Sequence, residues 1–148
     1  MEDHPTPWDE VALKEYNRLF TLRLEGVLDD CHGSCCLREK GIGKVVAAAL
    51  HHFDGERYFL DRYVIMPNHV HVLFSLAGNA KMEDVLHSWQ RFTAREINKL
   101  LGRAGQLWHD EYWDRLIRSQ KHLDWTRQYI ERNPEKLAPG TFHLWTKE

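Results

Sequence analysis

Apolar positions along the chain recur with two different periods, one helical and one extended. Between residues 9 and 28, Val11, Leu13, Tyr16, Leu19, Phe20, Leu22, Leu24 and Val27 follow mostly the spacing of a helix face, and Asp29, Asp30 and Gly33 break it. Residues 42–53, with VVAAAL in their middle, predict a well-buried helix that ends near Asp54-Gly55. The stretch 57–66 is rich in aromatic and β-branched residues and predicts a strand. Pro67-Asn68 suits a tight turn, because Pro presets φ and Asn tolerates the next position. Residues 69–76 then predict a second strand, antiparallel to the first. From 82 to 101, Val85, Leu86, Trp89, Phe92, Ile97, Leu100 and Leu101 mark a helix that Gly102 and Gly105 stop. Residues 108–118 favour a strand across 112–117. A last helix runs over 121–132 and closes near Asn133, because Pro134 disfavours a helical residue before it. The tail 139–148 reads as extended, docking Phe142, Leu144 or Trp145. Helices mixed with antiparallel strands make an α+β fold, with helices against one face of a small sheet.

The 148 residues suit a single domain over 9–148 with residues 1–8 as a flexible N-terminal arm. With 43% hydrophobic and 28% charged residues, the chain is neither disordered nor membrane-embedded, and the expected location is cytoplasmic. A net charge of −2 excludes polycationic binding, so any nucleic acid must be met by a local patch. Cys31, Cys35 and Cys36 form an odd cluster that fits a reducing compartment. With His32 they invite a zinc reading, but the paired C-x-x-C arms of a structural site are missing, which favours small buried or turn residues.

His69 and His71 are two apart on a predicted strand, so both imidazoles project from one face and can converge on one ion. Two ligands are not a site, and the same pair also reads as a solvent-facing H-x-H. Tyr129 and Asn133 are four apart on the last helix and share a face. That pairing suits a phenol nucleophile beside a polar metal ligand, and equally a core aromatic of an amphipathic helix. A free phenol ionises near pH ~10, so as a nucleophile at neutral pH it needs help from a neighbouring charge.

The segment MPNHVHVLF (66–74) resembles the histidine–hydrophobic–histidine strand of HUH nucleases, in the form found in REP-associated tyrosine transposases and their insertion-sequence relatives. The resemblance continues in order through FDGERY (53–58), Lys99-Leu-Leu-Gly-Arg103, Trp108 to Arg118 and YIERNP (129–134). It implies a ferredoxin-like antiparallel sheet with Tyr129 as nucleophile and His69, His71 and Asn133 as ligands of a divalent ion, Mg²⁺ or Mn²⁺. It also implies single-stranded or hairpin DNA as partner, cut to a 5′-phosphotyrosine link and a free 3′-OH. Family members begin with a further strand beside the histidine strand, ahead of a helix like 9–28. The sheet is therefore expected to lack that strand and to show three strands, with an open or borrowed neighbour beside the histidines. A monomer is expected, with a dimer as the other outcome.

Arg91, Arg95 and Lys99 form an i, i+4 row that Arg103 extends. Like charges at this spacing repel, so DNA phosphate or a solvated face balanced by Glu96 explains them equally well. Trp113, Arg115 and Arg118 are candidates to stack on or clamp a single strand. Two rival functions remain. A histidine-triad hydrolase needs a third alternate histidine where Leu73 stands. A decayed hairpin-binding protein has no use for Tyr129.

Overall fold

The computed structural model describes residues 19–26, 40–66, 68–102, 104–134 and 142–147. The expected arm 1–8, the cysteine cluster, Pro67 and Arg103 lie outside the described residues. The described elements run β1 (Leu19–Gly26), α1 (Lys40–His52), β2 (Tyr58–Ile65), β3 (His69–Leu76), α2 (Met82–Leu101), β4 (Trp108–Leu116), α3 (Gln120–Arg132) and β5 (His143–Thr146). The five strands form one antiparallel sheet in the order β4-β1-β3-β2-β5.

This arrangement corrects two expectations. Residues 19–26 are not the end of a helix but a strand, and that strand lies beside the histidines. In β1, Phe20, Leu22 and Leu24 alternate with Thr21, Arg23 and Glu25. The first set packs into the core on one side of the sheet, while Leu22 and Leu24 are almost completely buried. The histidine strand therefore has neither an open nor a borrowed neighbour: β1 hydrogen-bonds along it from Leu19↔Ser75 to Glu25↔His69. The sheet also gains β5, which pairs Tyr63 with Trp145 and Val64 with Leu144, in place of a merely docked tail.

Helices cover both faces of the sheet rather than one. On the first face, Val70, Val72, Phe74 and Leu76 of β3 meet Ile42, Val46 and Leu50 of α1 and Val85, Leu86, Trp89 and Ile97 of α2. Tyr58 ties this layer together: its hydroxyl donates to the Leu50 carbonyl (2.6 Å) and accepts from the Trp89 indole (2.9 Å). On the second face, Leu73 and Val64 pack with Leu123 and Ile130 of α3 and with Phe142. Because alternate residues of a strand project to opposite faces, His69 and His71 share the α3 side with Leu73. Both sides of β3 are thus covered, which explains its near-continuous burial.

The helix ends follow local chemistry. Gly102 closes α2 at φ +63°, a left-handed conformation that glycine adopts without Cβ strain, and returns its N–H to Asn98 and Lys99. Ser119 caps α3 by accepting from the His122 N–H at 3.0 Å.

A β-bulge fastens α3 to the sheet. The β2–β3 register slips between Leu60 and Arg62, leaving Asp61 as the extra residue. The slip lets Asp61 and Arg62 both meet α3. Arg127 contacts the Asp61 carboxylate with two nitrogens, at 2.8 and 3.1 Å, and Arg62 pairs with Glu131. The backbone N–H of Lys147 donates to the Asp61 carbonyl. Burial opposes ionisation of Asp61, yet hydrogen bonds and charge from Arg127 and Arg62 outweigh it and hold the carboxyl below its ordinary range. Arg127 and Glu131 flank Tyr129 in sequence, so this cluster sets the seat of the tyrosine helix. Asp61→Asn keeps the shape and removes the charge. It is expected to cost about 2 kcal/mol, seen as a lower urea midpoint with unchanged slope. An unaltered midpoint would show that the cluster adds no stability.

Candidate active site between the histidine strand and the last helix

Two cross-strand rows build the floor of the site. Glu25 of β1 stands opposite His69, and Arg23 stands opposite His71. Arg23 in turn faces Trp113 of β4, and Thr21 faces Arg115. Directly opposed residues project to the same side, so all of these lie under the α3 layer. Arg23 Nε donates to Glu25 at 2.5 Å.

Each histidine is oriented by a neighbour. His69 Nδ1 lies 2.9 Å from the Asn68 side-chain oxygen, and His71 Nε2 lies 2.5 Å from the Thr21 hydroxyl. A proton on each of these nitrogens leaves a lone pair on His69 Nε2 and on His71 Nδ1. Those two atoms are buried and without a partner, as is the side-chain nitrogen of Asn133. Buried polar atoms are nearly always satisfied, so the two imidazole nitrogens, on one face of β3, are available to accept a ligand. Burial, with the Arg23 charge nearby, holds the His69 pKa down to about 4. Burial, His69 and Arg23 do the same for His71, also to about 4. Both rings are therefore neutral at neutral pH, the form in which imidazole binds a metal.

The last helix brings Tyr129 to this floor. Its ring centroid is 5.5 Å from that of His71, tilted at 65°. On α3 itself, Trp125 stacks on Tyr129 at 5.1 Å and 12°. Tyr129 keeps 38% of its surface exposed. Asn133 follows one turn later with helical φ and ψ (−49°, −44°), which keeps it on the face of Tyr129. Tyr129, His71, Thr21 and Arg23 share an open cavity of about 320 Å³ with Trp113, Arg115 and Trp125.

The sequence-predicted residues thus divide. His69, His71, Tyr129, Trp113 and Arg115 come together on one face. Arg91, Arg95 and Lys99 do not join them, because α2 packs on the opposite face. There Arg95 and Lys99 pair with Glu96 at 3.3 and 3.8 Å, while Arg91 and Arg95 line a separate depression with Arg57 and His87. Arg118 is exposed just beyond β4. Sequence reasoning missed Thr21, Arg23 and Glu25, hidden by reading 19–26 as helix, and Asn68, which orients His69. It also missed Trp125, although an aromatic four residues before Tyr129 is visible in the sequence as a same-face pair.

Among the described residues no three of His, Cys, Asp and Glu are grouped to hold a metal ion. No helix among the described residues is long and apolar enough to cross a membrane.

A helix-covered antiparallel sheet with paired histidines under a tyrosine helix defines an architecture, and comparison gives it a family. The model of the IS200-like transposases matches residues 39–133, and the chain belongs to that family. A comparison with curated proteins returns no match. Among solved structures, a REP-associated tyrosine transposase bound to a REP hairpin superposes with a TM-score of 0.63 at 16% identity, over 92% of this chain and 72% of that one. A protein of Deinococcus radiodurans R1 assigned as a transposase gives 0.52 at 18% identity, over 77% and 88%. At these identities the two structures share the fold.

Proposed function

We propose that this transposase-family protein cuts and rejoins single-stranded DNA, acting at or beside a hairpin, through a covalent link to Tyr129. The observation that carries the reading is the packing of the Tyr129 ring against His71, whose Nδ1 is buried without a partner. Tyr129 Oη bonds to the phosphorus of a phosphodiester and the bond to the 3′ oxygen breaks. The phenolic proton passes to water, and the departing oxygen takes one up as a 3′-OH. The DNA 5′ end remains as a phosphotyrosine, and a later attack by a 3′-OH on that phosphorus restores the phosphodiester and frees the phenol.

His69, His71 and Asn133 are the residues that would hold Mg²⁺ or Mn²⁺. When bound there, such an ion would supply positive charge to offset that of the phosphate. Asn68 and Thr21 keep the two ring nitrogens aimed, and Trp125 and His71 fix the plane of the Tyr129 ring. Arg23 and Arg115 supply positive charge along the strand entering the cavity, while the α2 row meets duplex or hairpin phosphate away from the cut.

The reading is tested by incubating the protein with a single-stranded hairpin oligonucleotide and Mn²⁺ or Mg²⁺, then looking for a covalent protein–DNA band on a denaturing gel. A decayed hairpin-binding protein would shift the DNA and give no such band. Phosphate contact is tested separately. Arg115→Ala is expected to weaken single-strand binding and to flatten the slope of log affinity against log salt by about 0.7, the value for one phosphate. An unchanged slope would remove Arg115 from the DNA path.

A further inference from the structure

Of the large hydrophobic side chains left exposed among the described residues, three gather at one place: Trp113 (56%), Trp125 (60%) and Tyr129 (38%) all line the cavity beside His71. Packing does not account for the exposure of the first two, although Trp125 stacks on Tyr129. Trp89 and Trp108 show how this protein employs structural indoles, since both are buried and donate to Tyr58 and Thr93. Trp113 and Trp125 instead stand on different elements, β4 and α3, with most of their surface in water. Exposed indoles converging on a polar site are a recognition surface rather than a packing one.

We infer that the cavity between Trp113 and Trp125 is a nucleobase subsite, where one unpaired base of the DNA strand stacks beside the phosphate attacked by Tyr129. The inference rests on the single-strand reading above and deepens it. Three observations define the occupant. The cavity, at about 320 Å³, is at the small end of the range for small-molecule pockets, the scale of a single nucleotide rather than a duplex. Its walls combine flat aromatic surface with the guanidinium groups of Arg23 and Arg115, the pairing that suits a base attached to a phosphodiester. Asp114 also lines it and the Arg23 guanidinium is shared with Glu25, so Arg115 is the main cation for the phosphate. Finally, the row Trp113–Arg23–His71 crosses three adjacent strands, so Trp113 sits two strand spacings, roughly 10 Å, from His71. A strand whose scissile phosphate lies over the histidines would pass Arg23 and reach Trp113 with its next nucleotide. Trp125, already stacked on Tyr129, forms the opposite wall and couples base binding to the position of the phenol.

Stacking recognises a π-face and not a hydrogen-bond pattern, so the subsite accepts different bases but not a missing one. The test compares a fluorescently end-labelled oligothymidylate of about 12 nucleotides with an abasic oligomer of equal length, both titrated by anisotropy without metal. The native protein is expected to prefer the thymidylate by between about 5- and 150-fold. Trp113→Ala and Trp125→Ala should each lose most of that preference, by weakening thymidylate binding and leaving abasic binding alone. Trp113→Phe and Trp125→Phe should retain much of it, which a general loss of structure would not allow. Alanine variants that keep the full preference overturn the subsite while leaving single-strand binding intact. A native protein that binds neither oligomer overturns the single-strand reading itself, and the subsite with it.

Discussion

Tyr129→Phe is expected to abolish covalent linkage to DNA while leaving DNA affinity within about twofold. The substitution removes one oxygen and keeps the ring that stacks on Trp125 and meets His71, so the cavity walls stay as they are. Tyr129 is partly exposed, and its hydroxyl has no structural burden that phenylalanine would leave unmet. Loss of a nucleophile removes the whole chemical step, and a fall of ~10⁴-fold or more in cleavage is the scale to expect. The measurement pairs the denaturing-gel assay with a binding titration on the same hairpin oligonucleotide. Cleavage undiminished in the Phe variant would assign the nucleophile elsewhere.

Acid is expected to destabilise the fold through the two histidines before it reaches the carboxylates. In the unfolded chain each imidazole takes up a proton near its ordinary pKa of 6.5, whereas in the folded chain both stay neutral down to about 4. Between those values the unfolded state binds more protons, so stability rises with pH across the window. Their contribution is present in full above 6.5 and is lost progressively as pH falls toward 4. At about pH 5 the loss is on the order of 2 kcal/mol for each histidine. Asp61, whose carboxyl is held low by Arg127 and Arg62, adds a further loss only at still lower pH. Urea titrations at neutral pH and near pH 5 measure this directly. The double variant His69→Gln, His71→Gln should flatten the slope in the window above about pH 4. Added Mn²⁺ should stabilise the native protein at neutral pH, by about 2.7 kcal/mol at a hundredfold excess over its dissociation constant, and should not stabilise the variant. A native protein with flat stability across the window would mean that the histidines are not buried as neutral rings.

The parts of the fold that were legible in the sequence are those whose local pattern admits one interpretation. The helix 82–101 matches α2 to the residue, because seven apolar positions keep one period and Gly102 supplies the left-handed stop. The strand 69–76 matches β3, and the last helix, expected over 121–132, falls within one residue of α3 with its end at Asn133. Residues 19–26 were not legible. Leu19, Phe20, Leu22 and Leu24 satisfy a helical window when joined to the apolar residues before them. The alternation of Thr21, Arg23 and Glu25 acquires meaning only once β3 and β4 flank them. The short β5 shows in the sequence only as an extended tail, since four residues carry little period and pair only because β2 offers an edge.

The same division holds for the candidate site. By itself the sequence determined that His69 and His71 share a face and that Tyr129 and Asn133 share another, since both follow from the fixed geometry of strand and helix. It could not decide whether those two faces meet. Only the tertiary structure puts α3 on the histidine side of the sheet, because the bulge at Asp61 engages Arg127 and Glu131 while Leu123 and Ile130 bury against Leu73. The same packing sends the basic row of α2 to the other face and brings in Thr21, Arg23 and Trp125, which no local pattern joins to the histidines. Periodicity is a property of neighbours along the chain, whereas a site is a property of neighbours in space, and burial of the two apolar faces of this sheet chose which residues became the second kind.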